Sequence, residues 1–192
     1  MKTTNPQLKK STRILCASWI SIVAAGTLLA HEERVPAPGS NAWNQAQAPT
    51  NWWNEIQRAH GHVGPWNVLG WRMGTAALRE LNTQWGQHDL DIVCHIPLKT
   101  PYSCMADGLV VATGNSIGRL DIRLAEVLSR SDVHVSIRRK DGTGPVLQLR
   151  PSTNYLAQIR RLPEHQLEPM ARDCAHLPEA DLFTTEKAGS AD

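Results

Sequence analysis

Residues 60–74 read HGHVGPWNVLGWRMG. Two imidazoles stand at i and i+2, and a Gly-Pro pair follows before an apolar periodicity begins. Gly61, Gly64 and Pro65 argue against a continuous helix through the histidines. In an extended segment the i, i+2 spacing puts His60 and His62 on the same side. Downstream, Val68, Trp71, Leu78, Leu81 and Trp85 recur at near-helical intervals, with Asn67 as a candidate cap. Gly70 and Gly74 lie one turn apart in that helix. Glycine weakens a helix, so either it is merely tolerated there or another backbone approaches closely. Upstream, Asn51 to Ala59 (NWWNEIQRA) reads as a short helix capped by Asn51, with Trp52, Ile56 and Ala59 at helical spacing.

Past the long helix, Leu90, Ile92, Cys94 and Ile96 alternate as in a strand, which Pro97 to Pro101 interrupts. Periodicity alone leaves CMADGLVVAT (104–113) open between a buried helix and a strand. RLDIRL (119–124) alternates strictly. Val133, Val135 and Ile137 line one face of a second strand, Asp141-Gly142-Thr143-Gly144 makes a turn, and Val146 to Arg150 returns as its partner. Thr153 to Leu162 and Glu164 to His176 read as helices, and the small polar residues from Asp181 onward read as a fraying tail. The expected fold class is α+β: N-terminal helices, then an antiparallel or mixed sheet with helices packed on one face.

The chain has 192 residues, 41% of them hydrophobic, a size and composition suited to one domain with tails. A formal charge of +2 and scattered arginines do not suggest a nucleic-acid surface. Seven tryptophans against one phenylalanine is unusual, and Trp43, Trp52, Trp53, Trp66 and Trp71 cluster around the histidine motif. Lys2, Lys9, Lys10 and Arg13 precede an apolar run from Ile14 to Ala30. That order is expected of an export signal, or of an uncleaved anchor that would be the protein's only membrane contact. The expected organisation is a signal or anchor over 1–30, a Pro/Gly/Ser linker over 31–50, a folded domain over 51–178 and a flexible tail over 179–192. Export would place the protein in the periplasm of a bacterium. In such an oxidising compartment Cys94, Cys104 and Cys174 allow one disulfide with a spare thiol, Cys94–Cys104 being close enough in sequence to bridge, or a metal thiolate.

Imidazole suits borderline ions such as zinc, copper and nickel. His60 and His62 supply two ligands, so others must come from elsewhere, Cys104 first and then Cys94 or His95. Other polar pairs have simpler readings. Asp89 and Asp91 could hold a cation but also flank a strand, and His134 is expected to face solvent. Arg72 favours an anionic ligand if it reaches a pocket, and otherwise sits on a helix surface.

Two blocks together resemble the FmdE family, a family named for formylmethanofuran dehydrogenase. The first block is similar to that family's His-Gly-His-x-Cys-Pro-Gly motif and its following Gly-x-Arg helix, through His60, Gly61, His62, Pro65, Gly70, Arg72 and Met73. CMADGLVVATGNSIGRLDI (104–122) is similar to its second motif through Cys104, Asp107, Thr113, Gly114 and Gly118. The resemblance implies an α+β domain, a transition metal, a dimer that Gly70 and Gly74 could serve, His60, His62 and Cys104 as metal ligands, and Asp107 and Asn115 supporting them from behind. It also implies departures. Gly64 and Asn115 stand where the family has cysteines, Trp66 stands where it has glycine, and no CxxC supplies the family's zinc ribbon. The leading expectation is an exported metal-binding protein with a metal-handling or redox accessory role. The alternatives are a non-metal module that binds a small ligand or a partner protein, and an enzyme using metal-bound water with Asp107 as base.

Overall fold

The computed structural model describes residues 47–189. The expected signal or anchor and most of the linker lie outside the described residues. Helix α1 spans Trp52–His60; Asn51 caps it by accepting a hydrogen bond from the Asn54 N–H at 3.1 Å. Gly61, in the left-handed region at φ 93°, ends it by donating its N–H to the Gln57 carbonyl. His60 is therefore the last helical residue and His62 the first beyond the turn, so the pair does not lie on an extended segment.

Helix α2 spans Pro65–Glu80 and starts two residues before the sequence suggested. Proline at its first position needs no N–H partner, so Gly-Pro marks the start. Asn67 is not the cap residue itself. It is fully buried in the first turn, where its Oδ1 accepts the Gly64 N–H at 2.9 Å. Trp85 falls beyond the helix but still donates its indole N–H to the Val111 carbonyl. Trp52 stacks on Trp71 with ring centroids 3.9 Å apart, which ties α1 to α2.

The segment that periodicity left open is helix α3, Cys104–Thr113, closed by Gly114 at φ 74°. It reads ambiguously because it is packed on several sides, against α2 and over the sheet. A Cβ added to Gly70 would stand 2.0 Å from the Met105 carbonyl oxygen, and one added to Gly108 would stand 2.0 Å from that of Asn67. Gly70 and Gly74 thus serve a close contact between α2 and α3 of the same chain, which removes the reason for assigning them to a dimer.

Five strands form one mixed sheet in the order β2-β1-β3-β4-β5. They are β1 Leu90–Ile96, β2 Ile122–Glu126, β3 His134–Arg139, β4 Val146–Pro151 and β5 Phe183–Ala188. β2 runs parallel to β1 after the α3 crossover; every other pairing is antiparallel. Leu90, Ile92, Cys94 and Ile96 are buried while the residues between them are only partly covered, so one face carries the core. The α+β expectation holds, with the sheet mixed.

Three boundaries differ from the sequence reading. β2 begins at Ile122 rather than Arg119, because Asp121 is buried and held by Arg119 and Lys140. The helix expected over 153–162 stops early, as α4 Thr153–Gln158; α5 Leu167–His176 follows a short 3-10 turn, and the four-residue α6 spans Glu179–Leu182. Within the expected tail, Phe183 to Ala188 forms a strand that pairs with β4 from Pro151 back to Val146. Buried Leu182 and Phe183 anchor it, and Lys187 meets Glu80 at 2.8 Å. The remaining residues of this edge strand are exposed, so backbone pairing rather than apolar alternation holds it, and alternation could not reveal it.

Candidate functional site

The left-handed turn at Gly61 folds the two imidazoles back onto one another. Their ring centroids lie 4.8 Å apart at an interplanar angle of 51°. His60 is largely covered, its side chain 17% exposed, whereas His62 is exposed. The first turn of α3 reaches the same place: Asp107 Oδ2 lies 2.7 Å from His60 Nδ1. An ionised carboxylate can only accept, so Nδ1 donates the proton, and in the neutral ring Nε2 keeps its lone pair. Asp107 is half-exposed and reaches the ring from the side that faces α3.

Cys104 precedes Asp107 by three residues, which places both on one side of α3. It is half-buried, and burial followed by the charge of Asp107 pushes its thiol up from the ordinary range. Asn67 Nδ2 donates to the Cys104 carbonyl at 3.0 Å while its Oδ1 accepts from Gly64. One buried side chain therefore links the loop after the histidines to the head of α3. Sequence reasoning missed this role, although a buried-type amide directly after Gly-x-x at a helix start is the signal for it.

The other candidates go elsewhere. Asn115 is buried just beyond the far end of α3, a helix that rises about 13 Å from Cys104 to Thr113, and its Nδ2 donates to the Leu90 carbonyl. It fastens the α3 end to β1 and does not stand behind the histidines. His95 projects from the sheet face opposite the helices, against His134. Cys94 is fully buried on the other side of the same strand, where burial pushes its thiol up to about 12. Cys94, Cys104 and Cys174 are all free thiols, so the Cys94–Cys104 bridge does not form. Arg72 neither reaches the histidines nor faces solvent alone: its guanidinium donates to the Cys174 and Ala175 carbonyls near the end of α5. Asp89 pairs with Arg139, and Asp91 with Arg123 and Arg138, so guanidinium groups take the place of a cation.

His60, His62 and Asp107 are thus brought together, with Cys104 one turn away. Among the described residues no three His, Cys, Asp or Glu side chains form a ligand set for a metal ion. What is present is two imidazoles, one of them oriented by a carboxylate. That donor set fits a borderline divalent ion better than a thiophilic one. Gly64 contributes no sulfur, yet a Cβ there would lie 3.6 Å from His62 Nε2, in ordinary contact.

No curated protein matches the chain significantly. A family model described as FmdE, molybdenum formylmethanofuran dehydrogenase operon, matches residues 59–184, from the residue before the first histidine to the start of β5. That span is more than half of the chain and carries both the histidine turn and the head of α3. The chain belongs to the FmdE family.

Proposed function

We propose that this protein binds a divalent transition metal, zinc, copper or nickel, through His60 and His62, and that Asp107 fixes the tautomer and direction of the His60 ring. The 2.7 Å contact between His60 Nδ1 and Asp107 carries this reading. A carboxylate behind a metal-binding imidazole holds the ring and raises its basicity. When bound, such an ion supplies Lewis acidity. The chain's own part is to hold the two rings together, and Cys104, one turn before Asp107 on α3, is the thiol candidate for a further donor. With two imidazoles as its core the site is open, which suits transfer of the metal to another carrier or an accessory role more than permanent structural storage. The basic and apolar order at the N-terminus supports export of the mature domain, and fractionation with N-terminal sequencing tests it.

The deciding experiment reloads purified protein with each ion, dialyses it, and counts bound metal. The expected result is near-stoichiometric binding of at least one ion and its loss in the His60→Ala, His62→Ala double variant. Asp107→Asn should weaken affinity by about ten- to a hundredfold. No binding above background by the parent with any of the three ions would refute the proposal.

A further inference from the structure

Immediately after the histidine turn, Pro65 and Trp66 line a cavity of about 760 Å³ whose lining includes neither imidazole. This volume is in the range of small-molecule sites. Trp66 meets Tyr102 edge to face there, with ring centroids 4.9 Å apart. Leu156 and Ile159 add apolar surface. The polar contribution has one sign. Arg130, Arg160 and Arg161 all line the cavity, and no aspartate or glutamate does.

Elsewhere in this protein arginines are commonly neutralised: Arg79, Arg123, Arg138, Arg139 and Arg172 each meet a carboxylate within 3.2 Å. Among the described residues Arg130, Arg160 and Arg161 have no such partner. Arg130 donates from one terminal nitrogen to the Leu156 carbonyl, while its buried Nε has no hydrogen-bond partner. A buried donor without an acceptor is costly, and a guanidinium presents its donors as a planar fork suited to a carboxylate. Aromatic and aliphatic walls lined by three arginines without a carboxylate partner describe a site for an anion that carries an apolar body.

We propose that this cavity binds a small organic carboxylate with a planar apolar body, the carboxylate facing the arginines and the body lying against Trp66 and Tyr102. This proposal does not depend on the metal reading, because its residues and the histidines do not overlap. Trp66 thereby acquires a role: where the family motif has a glycine after the proline, this chain supplies the aromatic wall.

The test is calorimetric titration of the full chain with 1-naphthoate, its uncharged counterpart 1-naphthalenemethanol, and inorganic phosphate, all in EDTA. Naphthoate is expected to bind saturably at one site, at least tenfold more tightly than either other probe. The exposed pair Arg160→Gln, Arg161→Gln should weaken naphthoate at least tenfold while the circular dichroism spectrum stays unchanged. Trp66→Phe, which keeps an aromatic ring in the core, should weaken it less. Four results would overturn the proposal: no naphthoate binding at millimolar concentration, equal binding of the alcohol, equal binding of phosphate, or full affinity in the folded double variant. Because EDTA is present throughout, failure of the metal site leaves this outcome untouched, and the reverse also holds.

Discussion

His95 and His134 lie face to face across β1 and β3, ring centroids 4.0 Å apart and planes within 6° of parallel. They occupy directly opposed positions in the antiparallel register. Burial, the charge of His134 and the charge of Arg150 hold the His95 ring below the usual imidazole range. His88 is displaced the same way, by burial first and then by Arg119 and Lys140, against the opposing pull of Asp121. Both rings accept a proton less readily in the folded chain than in the unfolded one. The stability they contribute is full above the ordinary imidazole value of 6.5 and is lost as the pH falls through their lower folded values. Urea denaturation at stepped pH should show stability declining below 6.5. The His88→Gln, His95→Gln double variant should show a shallower decline; an unchanged slope would mean that other groups set it.

The approach of α2 to α3 predicts a sharp contrast among glycines. Gly108→Ala forces a Cβ into the Asn67 carbonyl and Gly70→Ala forces one into that of Met105, each at 2.0 Å. Backbone on both sides cannot move aside cheaply, so each should cost about 2–4 kcal/mol in a denaturant titration. Gly118→Ala, with nothing within 4 Å of the new Cβ, should stay within about 0.5 kcal/mol of the parent.

Gly64 offers a gain-of-function test of the histidine turn. Its backbone is extended at φ −113° and ψ 171°, which any residue adopts. Gly64→Cys adds a sulfur beside His62 without displacing the Asn67 hydrogen bond, which uses the backbone N–H. Competition against a chromogenic chelator should show zinc affinity rising at least tenfold, and cobalt substitution should add thiolate-to-metal absorption. Equal affinity in parent and variant would show that the turn does not point its donors at a common ion.

Thiol accessibility should single out one of the three cysteines among the described residues. Cys94 and Cys174 are fully buried, and Cys104 is half-buried. Iodoacetamide on native protein at neutral pH should label Cys104 well before Cys94 or Cys174, by site-resolved mass spectrometry. Its labelling should be slow, because burial and Asp107 disfavour the thiolate. All three should react after denaturation without reductant, since none is bridged.

Several of these features were legible in the sequence. The strands β1, β3 and β4 and their turn follow from alternation and Gly-rich punctuation, because each buries one face. The two helices before the sheet follow from periodicity, and the first also from its Asn51 cap. Strand β5 was invisible because an exposed edge strand carries no alternation, and α3 was ambiguous because a helix covered on several sides has no polar stripe. At the site, the i, i+2 spacing suggests neighbouring imidazoles through an extended segment, whereas the left-handed turn at Gly61 is what folds them together, and Asp107 is suggested only by resemblance. Its contact with His60 spans 47 positions and depends on how deeply α3 seats against α2. Asn115 went astray for a related reason: a residue matched to a motif position has no direction until the helix before it is known.

Gly70 and Gly108 have a wider consequence. Where they meet, peptide groups rather than side chains set the spacing between α2 and α3. The histidine turn leads directly into α2, and Cys104 and Asp107 begin α3. The dimensions of that socket therefore belong to the main chain, while its contents belong to replaceable side chains. A sulfur can be absent at position 64 and the place where it would stand keeps its size.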